Sequence, residues 1–561
     1  MSIDDLHHSR VAQAHAEVGQ TEVSRPVALT LVALFVAIVT AVPTSQAWMD
    51  HRVLHGVTGA AANAATREDR PSSISRVINS NRQMLAAIKR FTDRLDTDSL
   101  VARHLRPAVQ LLLTQRLGSG NERVYTGRDD WLYYATDVQH VIGRGFLETA
   151  QLARRAASGD SLSQATAPDP RPALRAFNDA LDRRGITLVL LPTPVKPSIH
   201  PEHLGVRASL APVRNASFSK FADEMRAAGV LLFDPAPLLA DFGATGNAAY
   251  LARDTHWRPD AVVAVAQELA RFLDRETPLP ERGPASLDAS VARVSSAGDI
   301  VGLLDLPAEW SPYPAETAEV RRILTADGRP WTPDPTADVI LIGDSFANIF
   351  SLEAMGWGTA AGLAEQLSFA LGRPIDRLVQ NANGAFASRE ALARELARGH
   401  DRLAGKRVVI YQFATRELTF GDWRLVDLDA PRPAPASAVL TPEPGQVLSV
   451  QGRIRQLTLA PRPGTVPYRD HIISVDLVDI DAGITVVSGT EALVYLSSME
   501  DNVWTVAASL VVGQNITLTL RPWAEVAPEL DGITRSELIE GNVVFAEPWW
   551  GELATLRLTS P

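Results

Sequence analysis

The chain has no cysteine among its 561 residues. Disulfides, thiol catalysis and thiolate-bound zinc or iron–sulfur centres are therefore excluded, while the compartment is left open. A basic excess is also missing: 54 Lys and Arg against 65 Asp and Glu leave a net charge of −11. Phosphate binding needs the opposite sign, so nucleic acid is not an expected partner. No internal repeat is visible, and only one segment is apolar for long enough to span a bilayer. The histidine pairs His51 with His55 and His200 with His203 have no third ligand near them in sequence. No metal site or cofactor is expected from them. What is present is the balance of a folded protein, 46% hydrophobic and 21% charged residues. The length calls for two or three folded units.

The long apolar segment lies near the N-terminus. Residues 1–24 are polar and mixed in charge, and from Pro26 to Val42 no charged residue occurs. Two readings are open: a retained signal anchor, or a leader cleaved near Ser45-Gln46-Ala47. The long polar lead and the length of the apolar run favour a transmembrane anchor over 27–48. Charge does not orient it, because Arg10 and Arg25 precede the run and His51, Arg52 and Arg67 follow it.

Residues 49–120 read as a helical stalk, or a lid packed on the catalytic domain. Met84, Leu85, Ile88 and Phe91 recur at helical spacing, as do Leu105, Val109, Leu112 and Leu113. Residues 121–430 then alternate helical stretches with short apolar runs. Strands are expected at 186–191, 230–233, 339–342 and 408–411, and helices at 173–184 and 261–273. That alternation predicts an α/β domain with a mostly parallel sheet and helices on both faces. A Pro/Ala linker occupies 431–446. Beyond it, runs at 473–477, 492–496, 503–512 and 516–520 predict an all-β accessory domain over 447–561. Its tryptophans Trp504, Trp523, Trp549 and Trp550 suit either sugar stacking or a small core.

Two segments of the α/β part carry chemistry. Gly343-Asp344-Ser345-Phe346 follows the strand at 339–342, where ligands of such sheets bind. The glycine permits a tight turn that turns both hydroxyl and backbone N–H toward a substrate. Alone, this tripeptide is a weak signal. Asp254-Thr255-His256-Trp257 precedes Pro259, a residue suited to the first helical position. A serine hydroxyl needs a base, histidine titrates near neutrality, and a carboxylate fixes its tautomer. Together the segments predict a Ser345–His256–Asp254 triad. For the oxyanion, the Asn381-Ala382-Asn383-Gly384 turn offers a backbone N–H or an amide, unless it is a plain turn. Arg416, after the last strand, either binds substrate or pairs with a carboxylate.

Gly127-Arg-Asp-Asp-Trp131-Leu-Tyr-Tyr134, Leu191-Pro-Thr-Pro-Val-Lys196, Asp254-Thr-His256-Trp257, Gly343-Asp-Ser345-Phe346 and Arg416-Glu417 together resemble the AlgJ/AlgX-type alginate O-acetyltransferases, an SGNH-hydrolase-like family. The resemblance runs from about residue 100 to 423. As in that branch, the Asp-x-His pair precedes the serine, whereas ordinary SGNH hydrolases begin with the serine. One departure is Asp129-Asp130-Trp131 in place of the usual Asp-Gly-Trp. The resemblance implies a serine acyl-enzyme with His256 as base and Asp254 as its orienter. It also implies a polysaccharide acceptor and an acetyl donor reached through a membrane-bound O-acyltransferase partner. The protein would sit in the inner membrane by a single pass, with 1–26 cytoplasmic and the catalytic domain periplasmic. A carbohydrate acetylesterase and a non-catalytic exopolysaccharide assembly protein remain as alternatives.

Overall fold

The computed structural model describes residues 24–33, 35–36, 40 and 100–553, apart from 158–165, 207–210, 245–246, 281–286, 308–309, 382–383, 430–438, 462, 464–465, 467, 482–489 and 539–542. The chain divides into two units, residues 1–109 and 110–561. In the first, residues 25–33 are helical. No helix among the described residues is long and apolar enough to cross a membrane. Much of the expected anchor at 27–48, and the predicted helix around Met84 to Phe91, lie outside the described residues. The second half of the stalk is present as the helix Leu100–Leu117.

The α/β domain opens with an antiparallel pair, β1 (Val124–Thr126) and β2 (Leu132–Tyr134). The main sheet is built from β3 (Thr187–Thr193), β4 (Leu231–Leu232), β7 (Val339–Gly343), β8 (Asp376–Val379) and β9 (Val408–Ala414). Between β4 and β7 runs an antiparallel ribbon of β5 (Leu287–Ser296) and β6 (Glu316–Thr325). The main sheet is wholly parallel in the order β4-β3-β9-β7-β8. Strand side chains alternate between faces. Val189, Leu191, Val339, Leu341, Val408 and Ile410 enter one core, which includes the helix Pro259–Glu276. Leu188, Leu190, Ile340, Ile342, Val409 and Tyr411 enter the other, with the helices Pro170–Asp182 and Phe218–Ala227. Both faces are covered, so these strands read as continuous apolar runs. The helix Pro170–Asp182 starts where Asp169 accepts a hydrogen bond from Arg171 N–H, with proline in its first turn.

From β3 the chain places β4 on one side and later β7 on the other. Such a reversal leaves a crevice at the carboxyl ends of the strands. The turn after β7 carries Ser345 at that edge.

The accessory domain is β, as expected. It comprises β10 (Leu448–Leu457), β11 (His471–Asp481), β12 (Ala492–Glu500), β13 (Val503–Trp504), β14 (Asn515–Pro522), β15 (Thr534–Ser536) and β16 (Trp549–Leu553). Because β12 pairs with both β11 and β16, the ring β10-β11-β12-β16-β14 closes into a barrel. Its Greek-key order, with the third and fifth ring strands parallel, is that of an OB-type barrel. Val450, Ile473, Val475, Val494, Leu518 and Trp549 fill it. The strand expected over 503–512 is corrected: only Val503–Trp504 extends. Beyond it Thr505 caps a 3-10 turn, Val506–Ser509, by accepting from Ala507 N–H. Capping of this kind diverts the backbone from a ladder.

Candidate active site

The loop that enters the helix Pro259–Glu276 and the turn after β7 meet at the crevice. Ser345 Oγ lies 2.9 Å from His256 Nε2, and His256 Nδ1 lies 2.6 Å from Asp254 Oδ1. All three side chains are buried. The structure thus brings together the three residues that the two motifs singled out. A hydroxyl, an imidazole and a carboxylate in this chain meet the geometric requirement for base-assisted nucleophilic attack.

Each member is fixed by its surroundings. Asp254 Oδ2 accepts from Trp357 Nε1 (2.8 Å) and from Asp299 N–H (3.1 Å). Trp257 donates from Nε1 to Phe346 O, tying the histidine loop to the serine turn. Asp344 holds that turn in place: its Oδ1 accepts from Phe346 N–H and its Oδ2 from Ala414 N–H. Its own N–H donates to Gln412 Oε1. Gly343 packs closely on β9: a Cβ there would lie 2.6 Å from Gln412 Oε1, so the glutamine would have to shift.

The electrostatics follow from burial opposed by partners. Burial raises the Asp254 carboxyl, but the hydrogen bond and charge of His256, with Trp357, outweigh it and hold Asp254 down to about 2. Burial lowers His256, and the bond and charge of Asp254, with the charge of Asp299, reverse that and leave it above the ordinary histidine value. Asp299 is a carboxylate that no motif or spacing singles out. Its Oδ1 accepts from Thr255 N–H and its Oδ2 from Thr255 Oγ1, and Oδ2 lies 3.7 Å from His256 Nδ1. Burial, then the neighbouring Asp254 charge, pushes it up to about 7. Among the described residues, Asp254, His256 and Asp299 are a group close enough to share a metal ion. His256 Nδ1 there is already engaged by Asp254.

A small pocket of about 60 Å³ opens beside Ser345, lined in part by Asn381, Gly384, Gln412 and Arg416. Gly384 sits at φ +76°, a left-handed turn that favours glycine. Asn383 lies outside the described residues. Asn381 Oδ1 accepts from Asn348 Nδ2, and its Nδ2 donates to Gly532 O of the barrel. Arg416 donates from Nη1 to Asp137 Oδ1 at 3.0 Å, and its guanidinium lies over the rings of Tyr134 and Phe346. Burial works against the arginine's charge, and the Asp137 and Glu417 carboxylates more than offset it. The carboxylate-pairing reading of Arg416 is met, and its guanidinium also lines the pocket.

The remaining motif blocks are scaffold. Lys196 is fully buried, donating to Leu132 O and Ala252 O beneath the rings of Trp131 and Tyr133. His203 stacks on Trp131 at 4.2 Å, and His200 Nε2 accepts from Ala249 N–H. Asp130 has φ 58° and its neighbour Asp129 has φ 56°. Aspartate tolerates that region better than most residues.

Residues 124–415 match the family described as "SGNH hydrolase-like domain, acetyltransferase AlgX". A probable alginate O-acetylase AlgJ of Pseudomonas aeruginosa is 30% identical over 238 residues, 41% of this chain and 57% of that protein. The chain thus spans little more than half the length of this relative. Among solved structures, the O-acetyltransferase domain of Pseudomonas putida AlgJ is 22% identical with a TM-score of 0.39, covering 53% of this chain and 92% of that one. Pseudomonas aeruginosa AlgX is 16% identical with a TM-score of 0.36, covering 71% and 91%. The family match extends over more than half of the sequence, from β1 through β9 and across both segments of the Ser345–His256–Asp254 chain. This chain belongs to the AlgX-type family of SGNH hydrolase-like acetyltransferase domains.

Proposed function

We propose that this chain is an O-acetyltransferase that carries acetyl on Ser345 and passes it to hydroxyls of an extracytoplasmic polysaccharide. The observation that carries the reading is the Ser345–His256–Asp254 hydrogen-bond chain, opening on a pocket small enough for an acetyl group. Ser345 Oγ attacks the acetyl carbonyl while His256 Nε2 takes its proton. The tetrahedral oxyanion forms against the Ser345 backbone N–H at the first turn of its helix, with the Asn381 amide and Gly384 at the same pocket. Collapse expels the leaving group, which takes the proton from His256. A sugar hydroxyl then gives its proton to His256 and attacks the acetyl ester, and Ser345 leaves with that proton. Asp254, ionised throughout, stabilises the imidazolium in both halves. Arg416, charged at the pocket wall, binds the acceptor.

The names of the relatives support acetyl as the group transferred. The apolar run at 27–48 supports attachment to a membrane, and the family resemblance implies the inner membrane, a periplasmic catalytic domain and acetyl handed on by a membrane-bound O-acyltransferase. Water and a sugar hydroxyl compete for one acyl-enzyme, so transfer over hydrolysis depends on water exclusion by bound acceptor. The test supplies a chromogenic acetyl ester with neutral or anionic oligosaccharides and weighs the products. O-Acetylated oligosaccharide, absent with Ser345→Ala, supports the transferase. Acetate alone, at a rate no oligosaccharide changes, rejects it for an esterase.

A further inference from the structure

A second cavity, of about 660 Å³, lies between part of the α/β domain and part of the barrel. The helix Ala387–Arg398 and strand β8 form one wall, and the helix Trp523–Leu530 with the segment through Arg535 and Glu537 forms the other. As many carboxylates as guanidiniums line it. They interleave: Arg398 donates to Glu395 Oε1 and to Tyr495 Oη, Tyr495 Oη donates to Glu537, and Arg535 donates to Asp531 and Glu537. Two buried atoms in these walls have no hydrogen-bond partner among the described residues, Arg398 Nε and Asn348 Oδ1. One is a donor and the other an acceptor. His400 stands at the same cavity, between Glu395 and Glu547.

This cavity is separate from the serine pocket. Asn348, whose Nδ2 reaches Asn381, and Gly532, whose carbonyl accepts from Asn381, stand between the two. A small anion placed here meets carboxylates at every turn, and a small cation meets guanidiniums. A hydroxyl suits both at once, since it accepts from an arginine and donates to a carboxylate. The volume holds about two or three sugar rings by the usual scale of ligand pockets.

We propose that the interdomain cleft binds an uncharged, hydroxyl-rich saccharide segment, beside the serine pocket but distinct from it. The proposal rests on the reading above that the chain acts on a polysaccharide, and it adds that the bound stretch is neutral. It would hold the polymer against both domains while a neighbouring stretch presents its hydroxyls to Ser345.

The test is calorimetric titration of the full chain with cellotetraose, mannotetraose and xylotetraose, and with a tetra-mannuronate as the charged control. At least one neutral tetraose is expected to bind with a stoichiometry of one, at least about tenfold tighter than the uronate, a gap of about 1.4 kcal/mol. Ala524→Trp projects a ring into the cleft from an exposed position on its wall. It should weaken that binding at least about tenfold, without changing Tm or the rate at which a chromogenic ester acetylates Ser345. His400→Ala, at an exposed side chain, gives an independent reading and should weaken binding about threefold. Absence of binding by all three neutral tetraoses, tighter binding of the uronate, or binding undiminished in Ala524→Trp would each overturn the proposal. If Ser345 is acetylated but no neutral saccharide binds, the cleft proposal falls alone. If saccharide binds but Ser345 takes no acetyl, the functional reading falls and the cleft stands.

Discussion

At the scale of single residues, the division of labour follows from what each side chain touches. Asp254 meets His256 through one oxygen and anchors the other on Trp357 and Asp299 N–H. Asp254→Asn leaves that shape nearly intact but offers Nδ1 a donor or a displaced acceptor, so the wrong tautomer follows. Ester turnover should drop by about 10⁴-fold with Tm little changed, and a near-normal rate would give the orienting role to another carboxylate. Asp299 makes a subtler prediction. His256 acts as a base only when neutral, and its folded pKa lies above the ordinary value partly because of the Asp299 charge. Activity therefore falls as pH drops through that raised value. Asp299, itself pushed up to about 7, keeps part of its charge across that range; Asp299→Asn removes that part, so the acidic limb of the kcat/KM profile should move to lower pH. A limb that stays in place, or moves up, contradicts this account of the electrostatics. The triad was legible in the sequence because its signals are local: Asp254 and His256 share one loop, and Ser345 follows an apolar run. Asp299 and Trp357 reach the triad only through tertiary packing, so no spacing pointed to them.

At the scale of elements, the serine turn is held more by hydrogen bonds than by propensity. The contacts of Asp344 to Phe346, Ala414 and Gln412 bind the end of β7 to the end of β9. Gly343→Ala forces a methyl against Gln412 Oε1 and disturbs the acceptor of Asp344 N–H. Overpacking of this kind costs about 1–3 kcal/mol, to be read as a lower Tm together with reduced ester turnover. Unchanged Tm would mean that β9 yields without loss. Strands β3, β7 and β9 were legible as apolar runs because both faces are buried. β8 was not, since its Asp376 is a charged residue that gave no apolar signal. In the structure that carboxylate is fully buried and satisfied by Arg402 and Lys406. The ribbon of β5 and β6 has no continuous apolar run: its residues alternate, as at Arg293-Val294-Ser295, with Ala318, Val320 and Ile323 of β6 packed into the core.

At the scale of the molecule, the barrel is continuous with the α/β domain in its packing. Tyr468 and Met499 of the barrel belong to the core cluster that contains Trp257 and Phe346. Asn381, at the serine pocket, is braced by the barrel's Gly532. Residues that share a core unfold together, so calorimetry should give a single transition for the α/β domain and barrel. Met499→Ala should lower its midpoint at a cost of about 2–5 kcal/mol. Two separated transitions would show the barrel to be an independent appendage. A β domain was legible from its short apolar runs, but closure of the ring was not, because β12 pairing with both β11 and β16 is non-local.

The most direct test of the central claim is intact-mass measurement after brief exposure to a chromogenic acetyl ester. The account predicts a gain of one acetyl group, mapped to Ser345, lost in Ser345→Ala and discharged on adding an acceptor oligosaccharide. Turnover of the ester with no acetyl on Ser345, or turnover that survives Ser345→Ala, would contradict it.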